Sequence, residues 1–273
     1  MANPLIRKLE QFSRLPAEDQ RVLEQATAGH IRRFGPREDL MSEGDEPGEV
    51  TVVLSGWASR YKQLEDGRSA ILAFLLPGDL CNPNISVLRE MDHSVGALTL
   101  VTVAEISQPL FEDLMLNHPR ISQALWREAL VSAAIQREWT ISLSQRTAYE
   151  RLSHLLCELF FRLRAIGATR GRSCDLPVTQ AKLAEATGLT LVHLNRTLQE
   201  LRAANLVLLK SRILTIPNLE ALMTAALFNP NYLHLGCAAN PPERTAAAQL
   251  RNPDDLRVAS DHRASSAPDL TDL

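Results

Sequence analysis

The residues with the most chemical content lie between positions 179 and 212. Thr179, Gln180, Thr190, Val192, His193, Asn195, Arg196, Gln199, Lys210 and Arg212 bring together hydroxyl, amide, imidazole and cationic groups with one branched apolar side chain. This set suits the edges and backbone of a nucleic-acid duplex: Arg196 can donate to guanine O6 and N7, and Asn195 can pair with adenine or anchor a phosphate. Leu191, Leu194, Leu198 and Leu201 recur at helical spacing and mark an inward face. The polar residues between them are then forced outward.

Local signals predict the elements that must hold them. Thr179 caps a helix with Leu183, Ala184 and Thr187 inward, Gly188 ends it in a left-handed turn, and Thr190 caps the next helix. That is a helix-turn-helix. The segment from Asn205 to Pro217 reads as two short strands around Lys210-Ser211-Arg212, which makes a basic wing. Upstream, Pro119 opens a long helix without internal Gly or Pro, with Ile121, Leu125, Ala129, Ile135, Trp139 and Leu143 largely on one face. Periodicity leaves two uses for it, a helix buried within one domain or a helix paired with a second copy. Ile121, Leu125, Ile135 and Trp139 are the candidates for pairing. A second amphipathic helix runs from Arg146 to Gly167, and Ala168 to Asp175 reads as a basic linker.

Before residue 119, two short helices precede strands at Glu49–Glu65, at 68–76 after the Asp66-Gly67 turn, and at 95–106. The expected fold class is α+β. An N-terminal antiparallel β-roll or jelly roll (1–118) leads to a long helix (119–145), a C-terminal winged helix-turn-helix (146–235) and a disordered tail (236–273).

Composition narrows the class. The 273 residues are 45% hydrophobic and 22% charged with a net charge of −3. None of the chain approaches the ~18 consecutive apolar residues of a membrane helix. The small total hides an asymmetry, because 160–216 holds nine Lys/Arg against three Asp/Glu, a surplus of six positive charges that suits a polyanion. Cys81, Cys157, Cys174 and Cys237 are scattered, which suits reduced thiols in the cytoplasm and no metal centre. Seven dispersed histidines, with no nucleophile elbow or phosphate loop, point away from an enzyme.

With roll, long helix and winged helix-turn-helix in this order, residues 5 to 235 resemble the CRP/FNR family of bacterial transcription regulators. The resemblance rests on Leu40–Ala58 (LMSEGDEPGEVTVVLSGWA), Leu64–Leu80 (LEDGRSAILAFLLPGDL) and Leu189–Val207 (LTLVHLNRTLQELRAANLV). It implies a homodimer paired through the long helix, double-stranded DNA and RNA polymerase as partners, and half-sites about one turn, ~34 Å, apart. It also places a candidate effector pocket at Gly78, Asp79, Cys81, His93 and Ser94. Cyclic-AMP-responsive members carry Gly-Glu-Leu followed by Arg-Ser, where this chain has Gly78-Asp79-Leu80 and later His93-Ser94, so cyclic AMP is not expected: the effector, if there is any, is another molecule, and DNA binding without an effector is equally compatible. No cysteine precedes Cys81, so the iron–sulfur cluster of the oxygen-sensing members is not expected. Haem on His93 and Cys81 is not expected either. In the recognition helix Val192 replaces a glutamate that many members use, while Arg196 matches their base-reading arginine.

Overall fold

Proline and capping side chains set the N-terminal helices. Asn3 accepts a hydrogen bond from the Leu5 N–H at the start of α1 (Pro4–Leu9), and Glu18 and Asp19 occupy the first turn of α2 (Ala17–Ala26). The computed structural model describes residues 3–83, 87–88 and 90–236. The tail read as disordered lies, from Cys237 onward, outside the described residues.

Seven strands follow: β1 (His30–Phe34), β2 (Asp39–Met41), β3 (Glu49–Ser55), β4 (Ala58–Gln63), β5 (Ser69–Leu75), β6 (Ser94–Ala97) and β7 (Val101–Ser107). They form two antiparallel sheets, β1-β7-β3 and β2-β6-β4-β5. The consecutive strands β3 and β4 lie in different sheets. The chain makes that corner at Gly56 (φ +83°), where a Cβ would collide with the Leu100 carbonyl. Phe34, Val53, Leu75, Val95, Val101 and Val103 fill the roll. The opposite face of β3 and β7, with Val50, Val52 and Ile106, is covered by α1, α2, α3 (Gln108–Asn117) and the start of α4 (Pro119–Gln145).

The helix α4 carries apolar residues on more than one side, and the structure decides how they are used. Ile121 and Leu125 pack into the core under β3, while Ile135 and Trp139 join Trp57, Phe74 and residues of the C-terminal domain. All four proposed pairing residues are therefore buried within the chain itself and are not free to pair. The side left open carries Trp126 and Leu130, 62% and 64% exposed, followed at helical spacing by Ala133, Arg137 and Ile141.

A capping box between Thr147 and Glu150 starts α5 (Ala148–Ala165). The stretch expected to be a linker is a hairpin instead, β8 (Thr169–Arg170) and β9 (Ser173–Asp175), turning at Gly171 with φ +61°. It is ordered because β9 pairs with β11 (Ile213–Thr215), with Cys174 opposite Leu214. β10 (Leu208–Lys210) completes the sheet β10-β11-β9-β8, which holds α6 (Gln180–Thr187) and α7 (Leu191–Ala203) with α5. The described chain ends in α8 (Leu219–Ala225) and a 3-10 turn at Pro230–Leu233.

Candidate nucleic-acid interface and effector pocket

The helix-turn-helix is built as its caps require. Thr179 Oγ1 accepts from the Lys182 N–H at 3.2 Å, Gly188 closes α6 at φ +62°, and Thr190 Oγ1 accepts from the His193 N–H at 3.2 Å. Leu183, Ala184 and Thr187 are buried where α6 meets α7, and Leu194, Thr197, Leu198 and Leu201 bury the inner side of α7. Leu191 departs from its expected place: it is 47% exposed at the first position of the helix. Periodicity defines a face but not how far along it the partner helix reaches. Arg151 of α5 fixes the corner, donating to the carbonyls of Thr187 at 2.7 Å and Arg146 at 3.1 Å.

The outward side of α7 presents Val192, Arg196 and Gln199 exposed, with His193 and Asn195 half-buried. Arg196 is held only by a loose pair with Glu200, Nε to Oε1 3.8 Å, and stays free to rearrange. Lys210 and Arg212 are exposed at the tip of the β10–β11 hairpin, where Ser211 and Arg212 take φ of 52° and 63°. Thr179 and Thr190 are exposed at the two helix starts, and Gln180 is half-buried beside Thr179. The ten residues thus lie on three neighbouring pieces of backbone: the start of α6, the outer side of α7 and the wing.

A second feature is a cavity of about 330 Å³ between the roll and α4, lined among others by Arg60, Cys81, His93, Glu128 and Gln136. Of the five residues expected there, Cys81 and His93 line it. Gly78, Asp79 and Ser94 do not. Gly78 (φ +97°) lies under α1, where a Cβ would meet Lys8 Cβ at 2.8 Å, and Ser94 Oγ accepts from the Glu43 N–H at 3.0 Å. Burial pushes the Cys81 thiol up to about 12, so it stays protonated. His93 Nδ1 stands 2.6 Å from Asp92 Oδ1, and its buried Nε2 has no hydrogen-bond partner. Arg60 gives one N–H to the Leu80 carbonyl at 2.8 Å, leaving its buried Nε unpaired. Burial raises the Glu128 carboxyl above its usual range. Sequence reasoning missed Arg60, Glu128 and Gln136. The available signal was a carboxylate, Glu128, on the otherwise apolar inward stripe of α4.

Asp79 is occupied elsewhere. Its side chain is 5% exposed and meets Lys8 Nζ at 2.7 Å and Arg162 Nη2 at 2.8 Å, while Oδ2 accepts from the Leu76 N–H at 2.8 Å. Burial alone would raise its carboxyl, but Lys8 and Arg162 outweigh that and hold it below the usual range. Arg162 also donates to the Phe74 carbonyl at 2.8 Å and to Glu158 at 3.3 Å. Glu158 Oε2 accepts from Trp139 Nε1 and from the Tyr232 hydroxyl, each at 3.1 Å. One buried polar chain therefore runs from α1 through the roll into α5 and α4.

Two family models match this layout, the cyclic nucleotide-binding domain at residues 31–118 and the Crp-like helix-turn-helix domain at 150–225. The transcriptional activator protein FnrL of Cereibacter sphaeroides is 26% identical over 211 residues, 76% of this chain and 83% of that protein. The nitrogen fixation regulation protein FixK of Bradyrhizobium diazoefficiens is 29% identical over 196 residues, 72% of this chain and 81% of that protein. The solved structure of FixK2 from Bradyrhizobium japonicum superposes with a TM-score of 0.65 at 22% identity, covering 72% of this chain and 96% of that one. A cyclic-nucleotide-binding-type roll joined to a DNA-binding helix-turn-helix defines a transcription regulator rather than an enzyme. The chain thus has the two-domain layout of the CRP/FNR-type transcription regulators, which bind DNA and act as dimers.

Proposed function

We propose that this chain is a cytoplasmic regulator that binds a pseudo-palindromic promoter site as a homodimer, with α7 of each protomer in the major groove. The outward side of α7 carries this reading. Arg196 reads a guanine, Asn195 an adenine or a phosphate, and exposed Val192 a thymine methyl, with His193 and Gln199 beside them. Thr179, Gln180, Thr190, Lys210 and Arg212 hold the sugar-phosphate backbone and set the register. RNA polymerase is the protein partner this role requires.

The pairing surface is the open side of α4. From Trp126 to Ile141 it spans about 22 Å at 1.5 Å per residue, long enough for a two-helix seam. A charge on it should cost pairing without costing the fold, because neither Trp126 nor Leu130 belongs to a core. Trp126→Glu with Leu130→Glu is expected to sediment as a monomer with unchanged helical circular dichroism. A double variant that stays dimeric would place the seam elsewhere.

The effector pocket is the cavity between roll and α4, and its ligand is not a cyclic nucleotide. The reading is supported by Asp79, which is committed to Lys8 and Arg162, and by His93, whose ring lacks the bidentate fork of an arginine. No iron–sulfur cluster and no haem are assigned. A ligand at a hundred times its dissociation constant adds ~2.7 kcal/mol of stability, several degrees in melting temperature for a chain of this size. Millimolar cyclic AMP or cyclic GMP is expected to leave the melting temperature unchanged. A rise of several degrees would refute the assignment.

A further inference from the structure

Among the described residues, one group of histidine and carboxylate side chains converges, away from both sites above. It comprises His30 on β1, Glu49 on β3 and Glu105 on β7. β7 is the middle strand, with Glu105 opposite His30 on one side and Thr51 on the other, and Glu49 two residues before Thr51. A period of two puts all three on one face. Glu105 continues the side of β7 that carries Val101 and Val103 into the roll, which is why its carboxylate is buried.

The geometry is that of ligands rather than of a hydrogen-bonded cluster. His30 Nδ1 lies 3.0 Å from Glu105 Oε2 and 3.4 Å from Glu49 Oε2, and the three donor atoms all fall within 4.8 Å of one another. A cation holding such atoms at ~2.0–2.2 Å would set neighbours roughly 3.0–3.5 Å apart at octahedral or tetrahedral angles. The second observation is independent of spacing. The Glu105 side chain is 8% exposed, and its Oε1 takes Arg32 Nη1 at 2.9 Å, but its buried Oε2 has no hydrogen-bond partner. His30 is at hydrogen-bonding distance but off the line that a hydrogen bond needs. A desolvated carboxylate oxygen without a donor is costly, and a cation between the three groups would satisfy it.

We propose that His30, Glu49 and Glu105 bind one divalent transition-metal ion on the β1-β7-β3 sheet. The imidazole favours ions of the zinc and cobalt type over calcium or magnesium, and three protein donors leave positions for water. Arg32 is the opposing charge, yet two carboxylates against one guanidinium leave the site net negative. The ion joins three adjacent strands across their hydrogen-bonding direction. Cobalt(II) titration of the full chain, followed by visible absorption and displaced with zinc(II), tests this directly. One equivalent per chain is expected, with affinity at least about ten-fold weaker in His30→Ala and in Glu105→Gln. Because His30 is a surface residue, its variant should melt like the metal-free parent. Equal cobalt binding in His30→Ala, or no binding by the parent at millimolar metal, overturns the proposal.

Discussion

Arg162→Ala is expected to cost about 3–5 kcal/mol of stability, the toll of removing one partner from a buried charge cluster and leaving the others uncompensated. Asp79 would keep Lys8 but lose its second cation, and the Phe74 carbonyl and Glu158 would each lose a donor. Urea denaturation measures the loss, and a value under about 1 kcal/mol would show that the cluster is not held together as described. A double-mutant cycle with Asp79→Ala separates the pair from simple loss of packing, because groups in direct contact deviate from additivity by ~0.5–3 kcal/mol. The pH dependence has a definite sign. Since Asp79 is held below its ordinary value in the folded chain, its contribution is complete above the unfolded carboxyl's range and is lost as pH falls through the lower folded value. Glu158, raised by burial, acts in the opposite direction and favours the fold as it takes up a proton. Asp79→Asn should therefore flatten the acid limb that Asp79 supplies.

Arg196→Ala is expected to have the largest effect on function. A bidentate contact to guanine contributes ~1–3 kcal/mol of discrimination, and a dimer makes it twice, so the loss should reach about 2–6 kcal/mol. Fluorescence anisotropy on a promoter fragment from beside the chain's own gene, against a scrambled duplex, gives the specificity ratio. Lys210→Ala should instead weaken both duplexes alike and reduce the dependence on salt by about two units of slope, one for each protomer of the dimer. If Arg196→Ala keeps the parent's ratio of specific to scrambled binding, Arg196 is not the base reader. Val192→Glu restores an acceptor for cytosine N4 and should shift the preferred half-site without abolishing binding.

Much of the DNA-binding half was legible from the chain alone, because its signals are local. Thr179, Gly188 and Thr190 act within one helical turn of themselves, and the Leu194, Leu198 and Leu201 stripe needs only the 3.6-residue period. The cavity between the roll and α4 was half legible. Local pattern places Asp79 in it, but its side chain turns instead to Lys8 and Arg162, which lie 71 and 83 residues away in sequence. Arg60, Glu128 and Gln136 come to the same cavity from a strand and a helix that no local pattern relates.

By itself, the sequence determined the order of elements, the caps, the winged helix-turn-helix and its outward residues, and thereby the family. The tertiary structure alone decided which side of α4 is spent on the chain's own cores, leaving Trp126 and Leu130 rather than Ile121 and Trp139 in the open. It also turned 169–175 into a strand pair and gathered His30, Glu49 and Glu105 on one sheet face. The division has one physical reason. Caps and periodicity are written in neighbouring residues, whereas burial and pairing are competitions between surfaces that meet only when the whole chain has closed.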